Sequence, residues 1–230
     1  MWWWIGGGVV VVVVLAVIVA PFVYIHFIAP DPAPKLTISD APPTTSAGSS
    51  SSARVPLSGT WNVSKGSKAQ YRVKEVLFGQ DNTATGTTED VTGSVVIDGG
   101  TVKNAAVTVD LTTVSSDESQ RDNQFQNRIM DTAQFPHATF KLTKPIKLGT
   151  EPAEGVKITT TATGDLTMHG TTKSVTAQLE ARRTGDTIEV AGSIPVTFSD
   201  FGINNPSGGP ASVGNTGTIE FLVELQRASA

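Results

Sequence analysis

Residues 219–226 read IEFLVELQ, and in this stretch Ile219, Phe221, Val223 and Leu225 alternate with mostly polar side chains. An apolar residue at every second position is typical of a β-strand with one buried face and one wet face. The same alternation recurs earlier in the chain, at residues 107–111, 140–148, 156–168, 175–179 and 188–198. Weaker candidates at residues 60–64, 70–78 and 83–97 bring the prediction to eight or nine strands.

Short turn signals separate these stretches, at Asp98-Gly99-Gly100, His169-Gly170 and Gly185-Asp186. Many antiparallel strands joined by short turns indicate a sandwich or an up-and-down barrel. Long strands favour the barrel, because closure removes exposed sheet edges. Gly164 and Gly192 interrupt their strands, where we expect bends or bulges that let the sheet curl. The sequence therefore predicts an all-β, antiparallel, eight-stranded barrel.

One segment has a helical period instead. Arg121, Phe125 and Arg128 follow one another at intervals of four and three residues, which predicts a short helix over residues 118–128. Ser116 or Asp117 is the predicted N-cap, with acidic residues in the first turn. We expect this helix to cap a barrel mouth or to pack on the sheet. Residues 204–217 are rich in Gly and Pro and are predicted to form a loop.

The N-terminal segment has a different composition. Residues 1–30 contain no Lys, Arg, Asp or Glu, and residues 2–28 are almost wholly apolar. A helix of about 20 apolar residues crosses a bilayer, and tryptophans at residues 2–4 suit a headgroup boundary. A cleaved signal peptide is the alternative, but it normally has a basic start and a shorter apolar core. We predict an uncleaved transmembrane anchor at residues 1–28, with the C-terminal domain on the extracytoplasmic side of the cell membrane.

A Pro/Ser-rich stretch follows the apolar segment. Residues 29–58 hold six of the 13 prolines, together with a run of serines at 49–52. Such a composition cannot bury enough apolar surface to offset its ordering entropy. We therefore predict a partly extended linker over residues 29–58 and one folded domain over residues 59–230.

The overall composition excludes several classes of function. The chain has 17 basic and 21 acidic residues, a net charge of −4, which argues against binding to nucleic acid by phosphate neutralisation. It has no cysteine, which excludes disulfide scaffolds, thiolate metal sites and cysteine nucleophiles. No serine-hydrolase elbow and no phosphate-binding glycine motif is present in the sequence.

Three ordered blocks resemble the YceI-like family. Residues 128–140 read RIMDTAQFPHATF, and residues 164–173 read GDLTMHGTTK, close to the family pattern G-x-L-T-x-H-G-x-T-K. The third block is Gly192 followed by FSDFGI at residues 198–203. Trp61 stands where the opening strand of the family usually starts with Trp. One position departs from the family, because a histidine that many members carry in the second strand falls near Glu75 here.

The resemblance implies a lipocalin-like barrel whose interior holds a long amphipathic lipid, such as a polyisoprenoid or an isoprenoid quinone. Together with the predicted anchor, it favours a membrane-tethered carrier without catalysis, with no cofactor or metal besides the bound lipid. Arg121 and Arg128 are the candidates to meet an anionic lipid head at the mouth, and a solvated helix face is their alternative role. The side chains expected to line the lipid tunnel are Phe125, Ile129, Phe140, Leu166, Met168, Phe198 and Phe221.

Two other classes of function stay open at this point. One is a small enzyme that acts on an apolar substrate through His137 or His169. The other is a ligand-free envelope interaction module, in which the same apolar residues form a solid core. No third metal ligand stands at a recognisable spacing from either histidine. Asp117, Glu118 and Asp122 suit the start of a helix better than a catalytic pair, and a homodimer is left open.

Overall fold

Twelve β-strands form one antiparallel sheet in the computed structural model, which describes residues 31–39, 56–149, 151–208 and 211–228. The strands are β1 (Gly59–Val63), β2 (Lys68–Leu77), β3 (Gln80–Thr88), β4 (Val91–Asp98), β5 (Thr101–Asp110), β6 (His137–Leu142), β7 (Ile146–Lys147), β8 (Lys157–Met168), β9 (Thr171–Thr184), β10 (Thr187–Thr197), β11 (Ala211–Val213) and β12 (Thr216–Arg227). Helix α1 (Ser119–Gln124) precedes a π-helical turn (Phe125–Ile129), and 3₁₀ turns occupy Leu111–Thr113 and Phe198–Phe201.

The sheet closes on itself because β1 pairs with both β4 and β12. Strands β1 and β2 form one long bent strand, and β3 and β4 form its hairpin partner. Trp61 pairs with Val95 and Ala69 with Thr88, so the pairing resumes after the bend with its register shifted by one residue. In the same way β7 continues β6 alongside β5, and β11 continues β12 alongside β2. The result is eight antiparallel strands, each beside the next, which confirms the predicted barrel.

Apolar residues fill the two ends of the barrel in separate clusters. One cluster lies at the end covered by α1 and contains Met130, Met168 and Phe201. The other surrounds Trp61, which is completely buried and donates its indole N–H to the Leu57 carbonyl oxygen at 2.9 Å. The alternation along each strand therefore places its apolar face inside the barrel.

The predicted bulges at Gly164 and Gly192 are wrong. The pairing of β8 with β9 runs unbroken through Gly164, and the pairing of β10 with both of its neighbours runs unbroken through Gly192. A register shift falls instead between Val96 and Ile97. The two glycines instead leave room for aromatic rings at the wall of the barrel interior.

Helix α1 is shorter than the predicted 118–128. It changes to a π-helical turn at Phe125, where the Met130 N–H donates to the Phe125 carbonyl at 2.9 Å. The N-cap is Glu118, whose side chain accepts from the Gln120 N–H. The predicted cap at Ser116 or Asp117 is therefore wrong.

The predicted loop over residues 204–217 is also wrong in part. Residues Ala211–Val213 form β11, and β12 begins at Thr216. Val213 pairs with Glu75 of β2, so the partner strand imposes an extended conformation on a stretch whose own composition favours a loop.

The predicted membrane anchor lies outside the described residues. Within the ranges that the structure describes, no helix is both long enough and apolar enough to span a bilayer. The predicted linker is described only at residues 31–39 and 56–58.

Residues 31–39, which we term the strap, lie against the barrel rather than free of it. The Arg72 guanidinium donates to the Ala33 carbonyl at 2.6 Å, and Arg182 donates to a carbonyl near the end of the strap at 2.7 Å. Ile38 is 2% exposed. The prediction of a free tether is therefore wrong for these nine residues, because side chains of the barrel satisfy their backbone groups.

The strap covers the outer face of the barrel. Arg72 and Glu220 alternate with residues that line the interior, so their side chains point outward. Glu220 is nevertheless buried, and it accepts from Arg72 Nε at 2.8 Å and from Gln70 Nε2 at 2.8 Å. A network of buried polar side chains thus lies between the strap and the sheet, with each member paired.

Candidate functional site

The barrel encloses a cavity of about 380 Å³, a volume in the range of small-molecule binding sites. Its wall extends from Leu57 and Leu148 near one end to Phe125 and Phe198 near the other. Apolar side chains supply most of the lining because every strand turns its apolar face inward. The interior is therefore a space that a long apolar ligand could fill.

Eight of the nine side chains predicted to contact a ligand line this cavity. They are Arg121, Phe125, Ile129, Phe140, Leu166, Met168, Phe198 and Phe221. Arg128 is not among the described residues that line it. Its guanidinium donates to the carbonyl oxygens of Pro206 and Ser207, at 2.6 and 3.2 Å, and so holds the loop beside the helix. Binding of a lipid by the other eight stays a prediction.

Four glycines let aromatic rings lie flat against the wall. A Cβ atom at Gly164 would stand 2.4 Å from the Phe140 ring, and one at Gly192 would stand 2.6 Å from the Phe221 ring. Gly86 and Gly217 make the same space for Tyr71 and Phe198. Each ring occupies the volume that a side chain on the neighbouring strand would fill, as in cross-strand glycine–aromatic pairs. The rings therefore lie along the wall, and the centre of the barrel stays open.

Polar groups line the cavity at the end where α1 covers it. The Glu75 side chain is 9% exposed, and its carboxylate oxygen lies 3.7 Å from Arg121 Nη2. Asn82 Nδ2 donates to the same oxygen at 2.7 Å. Arg121 also forms an ion pair with Asp117, one turn earlier. This end of the cavity thus combines one guanidinium with two carboxylates.

Tyr71 stands next to this ion-pair cluster. Its ring stacks on Phe125, with centroids 5.2 Å apart and planes 14° apart. Burial raises the pKa of the Tyr71 hydroxyl well above its usual range; Arg121 lowers it, and Asp122 and Glu75 add to the increase. The phenol is therefore neutral at any physiological pH and keeps its O–H as a donor.

Two other arginines are consecutive residues of β9, and both have carboxylate partners; Arg183 points into the cavity, and Arg182 points outward to the strap. Arg182 Nη2 lies 2.7 Å from Glu189 Oε2, and Arg183 Nη1 lies 2.9 Å from Glu151 Oε1. The Arg183 guanidinium also stands over the Trp61 ring, 5.9 Å from its centroid. These pairs neutralise the cations at their part of the wall.

The two histidines considered for catalysis lie away from the cavity. Neither His137 nor His169 is among the described residues that line it. His169 Nδ1 lies 3.1 Å from the Phe201 carbonyl oxygen, and its ring meets Phe135 edge-on at 5.0 Å. His137 is exposed at the start of β6. In the described part of the chain, no group of three or more His, Asp or Glu side chains is arranged to hold a metal ion.

Two members of the polar end, Tyr71 and Gln124, were not predicted from the sequence, and Glu75 stood out there only as a departure from a family pattern. Tyr71, Val73 and Glu75 are alternate residues of β2, and all three line the cavity. The two-residue period places them on one face. That signal was present in the sequence, but a charged residue in such a position looks like the wet face of a strand.

Comparisons of the sequence with known proteins agree on one family. The model of the YceI-like domain matches residues 61–225. A UPF0312 protein of Pseudomonas putida strain GB-1 is 30% identical over 148 residues, which are 60% of this chain and 71% of that protein. Protein YceI of Escherichia coli O157:H7 is 34% identical over 107 residues, which are 44% of this chain and 50% of that protein.

Comparisons of the structure give the same fold. A polyisoprenoid binding domain from Saccharophagus degradans, implicated in plant cell wall breakdown, superposes with a TM-score of 0.61 at 16% identity and covers 74% of this chain and 99% of its own. BcnA of Burkholderia cenocepacia superposes with a TM-score of 0.53 at 21% identity, covering 69% of this chain and 95% of its own. At these identities the likeness shows a shared fold.

Proposed function

The chain belongs to the YceI-like domain family, and from that premise we propose that it is a binding protein that holds an isoprenoid-type lipid inside its barrel. The observation that carries this proposal is the apolar cavity of about 380 Å³ along the barrel interior. One relative of the same fold is a polyisoprenoid binding domain, which supports the class of ligand.

The affinity for such a lipid would come from buried apolar area. Each CH₂ group that leaves water contributes about 0.8 kcal/mol, so a chain of several isoprene units gains affinity without many directional contacts. The polar head would remain at the end of the cavity where polar side chains stand, because an unpaired polar group among apolar side chains is costly.

We further propose that the chain is a carrier tethered to the cell membrane by a single span at residues 1–28, with the barrel on the extracytoplasmic side. The uncharged apolar run at residues 2–28 supports this placement. Mass measurement of the membrane-extracted protein tests it. An N-terminus near residue 30 would show cleavage and overturn the anchor.

The position of the histidines favours binding over catalysis. An enzyme that used His137 or His169 on an apolar substrate would need its imidazole at the cavity wall. Neither side chain is there, and the His169 ring is held against Phe201 and Phe135.

Lipid extraction from the purified full chain tests the proposed function. The chain is solubilised in detergent, and its bound lipids are identified and counted by mass spectrometry. We expect an isoprenoid lipid in a fixed ratio to protein. A Leu166→Trp variant is the matched control, because it carries the same detergent and membrane background with a smaller cavity. A wild-type chain that is repeatedly empty and takes up no added isoprenoid would refute the proposal.

A further inference from the structure

Each cation at the cavity wall already has a carboxylate partner. Among the described residues that line it, the basic side chains that point inward are Arg121 and Arg183, and no lysine is present; the Arg182 side chain reaches the strap on the outer face. Both inward arginines are paired with carboxylates, Arg121 with Glu75 and Asp117, and Arg183 with Glu151. The wall therefore offers a ligand hydrogen-bond donors without an unbalanced positive charge.

The polar end carries an excess of negative charge. Glu75 and Asp117 both pair with the single guanidinium of Arg121, and Asp122 is close enough to influence the Tyr71 hydroxyl. An anionic head group placed here would meet more carboxylates than cations in a partly buried site, where like charges repel strongly. A phosphate or carboxylate head is therefore disfavoured.

The same end offers a neutral donor to a ligand. Tyr71 lines the cavity, and its hydroxyl has no hydrogen-bond partner among the described residues. The stacked Phe125 ring and the absence of a side chain at Gly86 fix the plane of the phenol. A half-buried phenol that is oriented but unbonded gains a hydrogen bond when an acceptor arrives, without the cost of reorganisation.

From these observations we propose that the bound lipid has an uncharged, hydrogen-bond-accepting head, such as a carbonyl or hydroxyl group. Tyr71 donates to this head beside the Glu75–Arg121 pair. The proposal rests on the proposed lipid-binding function and narrows it, because it separates neutral isoprenoids from their phosphates.

A competition experiment with matched ligands tests the head group. Four C20 isoprenoids with the same tail, ending in an aldehyde, an alcohol, a monophosphate or no head group, displace a fluorescent isoprenoid from the full chain in detergent. We expect the aldehyde and the alcohol to bind at least tenfold more tightly than the monophosphate. They should also bind more tightly than the headless hydrocarbon, because that ligand forms no hydrogen bond.

Substitutions then assign the effect to residues. Tyr71→Phe should weaken binding of the aldehyde about three- to tenfold, the value of one hydrogen bond, and leave the headless hydrocarbon unchanged. Thr161→Val removes a hydroxyl from the exposed face of β8 and should change neither. Glu75→Gln combined with Asp117→Asn unbalances Arg121 and should raise the affinity for the monophosphate relative to the aldehyde at least tenfold. Thermal unfolding shows that each variant is folded.

The outcomes separate this inference from the function beneath it. Equal affinity for all four ligands, or tighter binding of the monophosphate, would overturn the neutral head while lipid binding stands. An unchanged aldehyde affinity in a folded Tyr71→Phe variant would remove Tyr71 as the donor. Failure of all four ligands to bind would remove the proposed function and this inference together.

Discussion

Replacement of Leu166 by Trp tests whether the cavity is the site of binding. Leu166 is 4% exposed and lines the cavity on β8. An indole at this position enters the open space, and the tail of the ligand loses that volume. Exclusion of one five-carbon unit forfeits about 4 kcal/mol at roughly 0.8 kcal/mol per CH₂. That loss corresponds to an affinity about 1,000-fold lower.

The same substitution should cost little stability, because the cavity of about 380 Å³ receives the larger side chain. In a filled core the added volume would destabilise the fold by about 1–3 kcal/mol. The assay is displacement of a fluorescent isoprenoid together with thermal unfolding, in which 1 kcal/mol corresponds to a shift of about 2–4 °C for a domain of this size. Thr161→Trp places the same residue at an exposed position of β8 and should change neither quantity. A large loss of stability with unchanged lipid affinity would refute the reasoning.

Three further predictions concern the barrel itself. In a Tyr24→Phe background Tyr71 is the one remaining tyrosine. Because folding raises the pKa of its hydroxyl, the stability of the fold should be full below about pH 10 and should fall as the pH rises further. An ordinary tyrosine pKa in an ultraviolet titration of the folded variant would contradict this prediction. Gly192→Val puts a Cβ atom 2.5 Å from a backbone oxygen and should lower the free energy of unfolding, measured in denaturant, by about 3 kcal/mol. Gly214→Ala places its Cβ atom in open space and should leave that free energy unchanged. Equal effects of the two substitutions would show that the close contact at Gly192 does not determine the loss of stability. Glu220→Leu removes the carboxylate partner of Arg72, which is partly buried beneath the strap, and should lower the free energy of unfolding by about 3 kcal/mol. In a chain that lacks residues 31–39 the same substitution should cost less.

The barrel was predictable because strand alternation is local. Side chains along a strand point alternately inward and outward, so the two-residue period at residues 219–226 identified β12 without knowledge of its partner strands. The short strand β11, which precedes β12, was not predictable in the same way. Val213 is extended because it pairs with Glu75, and pairing between distant residues overrides the loop signal of the surrounding glycines.

The candidate site was predictable to the extent that helical spacing held. Arg121 and Arg128 are seven residues apart, which in a regular α-helix places both on one face. The π-helical turn at Phe125–Ile129 winds the chain by a smaller angle per residue. It therefore rotates Arg128 away from the cavity and toward the Pro206 carbonyl.

The strap was missed because its ordering comes from side chains far away in the sequence. Its own residues are poor in large apolar side chains, which predicts disorder. Arg72 and Arg182 provide the donors that fix its backbone. A prediction from local composition does not include those partners.

The seam between β1 and β12 has a consequence for the synthesis of the chain. Trp61 pairs with Arg227 across this seam, whereas the neighbours elsewhere in the barrel follow one another along the chain. The first strand therefore emerges from the ribosome long before its second partner exists, and the ring cannot close until residues 216–227 have been synthesised. Until then one edge of the growing sheet and the apolar interior are open to other proteins in the cell. The last strand acts as the closing piece of the barrel, and a premature stop codon within residues 216–227 would leave an open sheet rather than a slightly smaller barrel.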